Sequence, residues 1–230
     1  MQVEGLTGVV ALAPGSDHTL ALREDGTVWA WGDNADGQLG QPASYEPHPT
    51  PAQVPGLTGV VALSPGYHHV LALREDGTVW AWGANYNGQL GDGTQRSRHT
   101  PAPMPGLTDV VSITATQGTS LVARRDGTVW GVGHNDKYQL ADTEQRVYLT
   151  PVQRPELSGV TALSSSFWSV LALHEDGTVQ AWGGNAFDQM GDGVTSLHTT
   201  PARTRLPCRF TAMPSRDHRA SEAEHCPASP

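Results

Sequence analysis

Apolar residues fall along this chain in short alternating bursts rather than in helical stripes. In residues 27–31, Trp29 and Trp31 lie two apart and face one side of an extended backbone, while Val28 and Ala30 face the other. Both faces are apolar, so a sheet built from such strands has to be covered on both sides. Four kinds of strand are expected. The first lies at residues 9–13, with equivalents at 60–64, 110–114 and 160–164; the second at 19–23, 70–74, 120–124 and 170–174. A tight turn at Asp-Gly follows, where glycine supplies the positive φ of a two-residue hairpin. The third strand then covers 27–31, 78–82, 128–132 and 178–182. A short fourth strand, near 52–54 and bounded by proline, suits an outer edge that can lose an N–H donor.

The bursts return at a fixed interval. Asp-Gly-Thr begins at Asp25, Asp76, Asp126 and Asp176; Thr-Pro begins at Thr50, Thr100, Thr150 and Thr200. A third marker, QLG, QLA or QMG, begins at Gln38, Gln89, Gln139 and Gln189. Three markers in phase define four units of about 50 residues. The one extra residue of the first interval is expected in the loop between Gly40 and Thr50, where insertions cost least.

Composition narrows the function. The 26 Gly and 17 Pro in 230 residues fit many short strands and tight turns, and the 7 Trp argue against disorder. Net charge is −9 and Lys137 is the only lysine, so no basic stripe exists to neutralise phosphates, and no nucleic-acid partner is expected. No apolar run is long enough to span a bilayer, and residues 1–10 do not read as a secretion signal, so none is expected. No membrane partner is expected, and the compartment stays open. Cys208 and Cys226 both lie near the C-terminus, so no disulfide framework holds the repeats.

The string GVVALSPGYHHVLALREDGTVWAWGANYNGQLGDGT, residues 59–94, closely resembles the regulator of chromosome condensation repeat. The resemblance covers residues 1–204 in four copies, the third the most drifted, with GVG at 131–133 and Ala141 after QL. It implies an all-β fold, a β-propeller of four-stranded blades, usually seven in a ring. Members serve as interaction platforms; one is a guanine-nucleotide exchange factor for a small GTPase, and a bacterial branch inhibits β-lactamases. The near-identical copies look more like that bacterial branch. Four copies are too few for seven blades, so a partial or open ring is expected, or one completed by self-association with another chain. Residues 2–8 match the linker at 53–59, which puts the start of the chain in mid-blade and gives the outer-strand motif five occurrences against four of the inner strands. Residues 205–230 carry no Trp, Gly or marker and are expected to be a divergent, disordered tail.

A four-strand meander puts the loops after the first and third strands on one side. These are the loops that vary between copies, and they vary toward aromatic and polar groups: Tyr67 and His68, Tyr86, Tyr138, Phe167 and Trp168, and Phe187. Aromatic anchors on rigid loops, rimmed by Asp and Asn, suit a protein–protein interface. The expected function is a non-catalytic module binding an unidentified protein partner through these seven residues. The alternatives are an exchange-factor-like regulator of a small GTPase and an inhibitor of a secreted hydrolase such as a β-lactamase. No enzyme, cofactor or metal is expected. The aspartates of Asp-Gly-Thr read as turn formers. The glycine-rich residues 88–93 lack the Lys of a phosphate loop, and residues 33–37 lack the spacing of a calcium loop. His18 and His69 share a blade position with Thr119 and Ser169, which suggests hydrogen bonding to backbone. The quartet Cys208, His218, His225 and Cys226 matches no zinc spacing, and no nucleophile, base and orienting group can be assembled around the serines at 164–166 and 169.

Overall fold

A computed structural model of the chain describes residues 3–191 and 195–203. They form sixteen strands in four antiparallel sheets, each a meander of consecutive strands. The first sheet holds β1 (Val9–Pro14), β2 (His18–Arg23), β3 (Val28–Asn34) and β4 (Ser44–Gln53). The second holds β5 (Val60–Pro65), β6 (His69–Arg74), β7 (Val79–Gly83) and β8 (Arg98–Pro103). The third holds β9 (Val110–Ala115), β10 (Thr119–Arg124), β11 (Val129–His134) and β12 (Val147–Arg154). The fourth holds β13 (Val160–Ser165), β14 (Ser169–His174), β15 (Val179–Gly183) and β16 (His198–Arg203). The sheets are the blades of an unclosed β-propeller, with the first strand of each packed against the first strand of the next. The expected tail and the cysteine–histidine quartet lie outside the described residues.

The alternating pattern decides how blades stack. Leu20, Leu22, Val28, Ala30 and Leu39 of the first sheet meet Val70, Ala72 and Trp82 of the second in one apolar core. Two further cores join the second sheet to the third and the third to the fourth. Each sheet thus has a forward face, carrying the Leu20 and Val28 positions, and a rear face, carrying the Trp82 position. The indoles are tied in place. Trp82 Nε1 donates to the Gln38 carbonyl at 2.9 Å, and Trp182 Nε1 to the Gln139 carbonyl at 2.8 Å. Near the axis, where neighbouring sheets share no backbone ladder, hydroxyls bridge them: Ala115 N donates to Ser64 Oγ and Leu163 N to Ser112 Oγ, both at 2.9 Å.

The Asp-Gly-Thr segments are turns. Asp25 Oδ1 accepts from Thr27 N at 3.0 Å and from Thr27 Oγ at 2.6 Å, and Gly26 takes φ 73°. These two bonds, the hydroxyl first, hold the Asp25 carboxyl below the usual range, as the matching threonines do for Asp76 and Asp126.

Among the described residues each sheet has one outer strand, and residues 3–8, which match the linker between sheets, hold turns. One expectation is corrected. The outer strand of the first sheet is longer than expected: β4 runs over ten residues. Its pairing with β3 slips twice, between Ala30 and Gly32 and between Gly32 and Asn34, where β7 and β8 slip once. The extra residue of the first interval is therefore absorbed as a second irregularity in an edge strand. Pro47, Pro49 and Pro51 recur there at alternate positions, which an edge strand tolerates because one side of its backbone needs no ladder partner.

Candidate functional site

The loop after the first strand of every sheet is a two-residue hairpin tip. Gly15 N donates to His18 O and Gly66 N to His69 O, both at 2.8 Å; Thr116 N and Ser166 N make the same bond to Thr119 O and Ser169 O at 2.9 Å. The tip pairs are therefore Ser16–Asp17, Tyr67–His68, Gln117–Gly118 and Phe167–Trp168. A second bond locks each tip to the end of the third strand: the carbonyls of Asp17, His68, Gly118 and Trp168 accept from the N–H of Asp33, Ala84, His134 and Gly184. The glycine before that N–H makes the approach possible. At Gly83, with φ 97°, a Cβ would stand 2.4 Å from the His68 carbonyl oxygen.

The loop after the third strand is equally fixed. Buried Asn34, Asn85, Asn135 and Asn185 accept through Oδ1 from the N–H five residues on, at 2.9–3.1 Å. The glutamines Gln38, Gln89, Gln139 and Gln189 accept through Oε1 from the N–H two residues back. Both kinds of loop thus present variable residues on a hydrogen-bonded frame, which lowers the entropy lost on binding.

Four of the seven expected residues come together. Tyr67 and Phe167 meet edge-on with ring centroids 5.7 Å apart, although they belong to the second and fourth sheets. His68 packs at 4.4 Å from Tyr67, and Trp168 at 4.7 Å from Phe167. The third sheet permits this because its tip carries Gln117 and Gly118, which do not fill the gap. Gln117 serves the cluster: its Oε1 accepts from Trp168 Nε1 at 2.9 Å, and its N–H donates to the Phe167 carbonyl at 3.3 Å. Lys137 Nζ lies 5.9 Å from the Trp168 ring centre. Tyr67 and His68 are half-buried, while Phe167 and Trp168 are 43% and 36% exposed. The four tips surround a cavity of about 290 Å³ at the axis, walled by residues 14–16, 65–67, 115–117 and 165–167.

Tyr86 stands beside the cluster. Its hydroxyl donates to Asp36 Oδ1, which raises the Tyr86 pKa, and Asp36 Oδ2 lies 3.8 Å from His68 Nδ1. Tyr138 and Phe187 stand apart, with no ring contact to the other five. Tyr138 takes φ 59° at the turn position of Gly37 and Gly88, and Phe187 is 88% exposed. Sequence reasoning missed Gln117, Lys137 and Asp36. For Gln117, the signal was its place in the same tip register as Tyr67 and Phe167.

His18 and His69 lie beneath the tips. Burial first, and the charge of neighbouring histidines second, lower His18 to about 4 and His69 to about 3, so both are neutral at pH 7. The expected backbone bonding holds for Thr119, whose Oγ donates to the His134 carbonyl. It fails for the histidines: His69 Nε2 pairs with Ser120 Oγ at 3.1 Å, and neither ring nitrogen of His18 has a partner. The reason is the next sheet, which offers Ser120 to His69 and Val70 to His18. Among the described residues no three His, Cys, Asp or Glu are grouped to hold a metal.

The sequence model of the RCC1-like domain matches residues 1–226. Protein pim1 of Schizosaccharomyces pombe is 40% identical over 106 residues, which cover 40% of this chain and 20% of pim1. Human HERC2, an E3 ubiquitin-protein ligase, is 42% identical over 98 residues, 41% of this chain and 2% of HERC2. The chain thus spans a fifth or less of these relatives. Among solved structures, human WBSCR16 superposes with a TM-score of 0.81 at 23% identity, over 91% of this chain and 56% of that one. Prp20p of Saccharomyces cerevisiae, described with its binding properties to Gsp1p and histones, gives 0.76 at 24% over 90% and 53%. The expected leaning toward a bacterial branch finds no support in these relatives, which are eukaryotic.

Proposed function

We propose, from the premise that this chain belongs to the family of RCC1-like domains, that it is a non-catalytic module holding a protein partner on the face formed by its hairpin tips. The observation that carries this is the edge-on cluster of Tyr67, His68, Phe167 and Trp168, half open to solvent on tips closed by one backbone bond and tied to the third strand by another. Such rings add apolar contact at little cost in lost freedom, and residues of this kind dominate measured interfaces. Around them lie the carboxylates of Asp17, Asp36 and Asp136, on a chain of net charge −9. The partner that fits brings basic groups around an apolar centre. Tyr138 and Phe187 take the role of rim contacts in this reading.

Prp20p is described as binding Gsp1p and histones, so those two proteins form the test panel. The double variant Tyr67→Ala/Trp168→Ala is expected to bind at least one of them about thirtyfold more weakly than the parent chain, at unchanged melting temperature. No binding by the parent chain, or equal binding by both, overturns the reading. The exchange-factor alternative predicts faster nucleotide release from Gsp1p; binding without release excludes it.

A further inference from the structure

Neighbouring sheets are not joined in the same way at the outer rim. Between sheets two and three the rim is closed. Gly93 N donates to the Leu149 carbonyl at 2.9 Å, and a Cβ on Gly91 would stand 3.1 Å from Met104 and 3.3 Å from Pro151. Between sheets three and four the residues matching Gly91, Gly93, Met104 and Leu149 are Ala141, Thr143, Arg154 and Thr199, and no backbone bond joins Thr143 to Thr199 among the described residues. A cavity of about 370 Å³ opens there, between the loop before β12, the turn after it and β16. Arg154 lines it and is 5% exposed. Its Nη1 donates to Asp142 Oδ2 at 2.9 Å, and its guanidinium carbon lies 4.5 Å from the centre of the Tyr148 ring. Its Nε and Nη2 have no hydrogen-bond partner among the described residues. Sheet two pairs its aspartate differently. There Arg98 stands at the position of Tyr148 and pairs with Asp92, and Arg98 Nη2 donates to the carbonyls of Ala81 and Ala102.

Nε–H and Nη2–H lie on one edge of the guanidinium, the fork that grips a carboxylate with two parallel bonds. A buried cation with open donors costs stability that a ligand carboxylate would offset. The mouth of the cavity favours the opposite charge. Glu144 and Glu156 line it, both exposed and neither in an ion pair among the described residues. With Asp142, three carboxylates surround one guanidinium. A plain anion is repelled there, and a plain cation leaves the fork unfilled. A molecule with one carboxylate and two cationic groups satisfies both, and the volume is that of a small-molecule site. We propose that this cavity binds a free basic α-amino acid of the lysine type, its carboxylate on the Nε–Nη2 edge of Arg154 and its ammonium groups at Glu144 and Glu156. Neither donor of the fork is open to water. The carboxylate therefore reaches it as Tyr148, half-buried at the cavity wall and stacked on the guanidinium, tilts away.

The test is calorimetric titration with L-lysine and with 1,5-diaminopentane, which is lysine without its carboxylate. The parent chain is expected to bind lysine at least about tenfold more tightly than the diamine. Arg154→Met alone would strand the Asp142 carboxylate. The variant used is therefore Tyr148→Arg/Arg154→Met, which copies sheet two and keeps a cation beside that aspartate. It should fold with an unchanged melting temperature and bind lysine at least about tenfold more weakly, while the diamine binds parent and variant alike. The exposed pair Glu144→Gln/Glu156→Gln leaves the fork and the packing untouched and should weaken both probes. No lysine binding by the parent chain, or a diamine that binds as well as lysine, overturns the proposal. So does undiminished lysine affinity in either double variant.

Discussion

His69 shows what one buried side chain does to the whole stability profile. Its imidazole is enclosed and neutral, with Nε2 on Ser120 Oγ, and Ser120 Oγ in turn donates to the Gln89 carbonyl at 2.7 Å. His18 is enclosed without that bond. Both pKa values are lowered from 6.5, to about 3 and about 4, so the folded chain binds fewer protons than the unfolded chain once the pH drops below 6.5. Their contribution is complete above that value. It falls as the pH approaches 4 for His18 and 3 for His69, each by up to about 1.4 kcal/mol per pH unit. The turn carboxylates of Asp25, Asp76 and Asp126 sit below 3.8 and lose their contribution only in more acid solution. Urea unfolding between pH 6.5 and 4.5 should therefore show a steep loss of stability, and His18→Thr should flatten its slope. Equal slopes for parent and variant would show that the imidazole charges in place.

At the scale of the hairpin, the same histidine explains a neighbour. Sheets one and two pair Gly15 with His18 and Gly66 with His69, while sheets three and four pair Thr116 with Thr119 and Ser166 with Ser169. A Cβ on Gly15 would stand 2.3 Å from the His18 ring, so the imidazole occupies the space that a hydroxyl side chain takes in the later sheets. Gly66 is a poorer test site because the Thr116 carbonyl also crowds it at 2.4 Å. Gly15→Thr alone should cost about 2 kcal/mol through overpacking. Combined with His18→Thr, which copies the third sheet, it should cost less than the two single changes added together. A coupling of about 1 kcal/mol or more in a double-mutant cycle is expected, and strict additivity would contradict the packing account.

Strands, turns and their spacing were legible because each depends on residues close in sequence: the two-residue alternation, the Asp-Gly hairpin and the Trp-Ala-Trp burst. What was not legible depends on a different sheet. The length of β4 follows from its edge position, and the isolation of His18 follows from Val70, 52 residues away. The variable loops were correctly placed on one side, yet the meeting of Tyr67 with Phe167 rests on the small tip between them. Tyr138 makes no ring contact with that cluster; it takes the turn position held by Gly37 and Gly88 in the earlier sheets.

For the whole molecule, an unclosed stack of repeats gains stability only where a sheet has neighbours. Sheets two and three are packed on both faces, sheets one and four on one face each, with Leu12 and Leu171 marking the uncovered sides. Each uncovered face leaves apolar area in water at about 25 cal/mol per Å². Local opening should therefore require less free energy at the two ends than in the middle. Amide exchange in dilute solution is expected to be slowest in β6, β7, β10 and β11 and measurably faster in β1, β2, β14 and β15. A single rate for all four sheets would show instead that the stack opens as one unit.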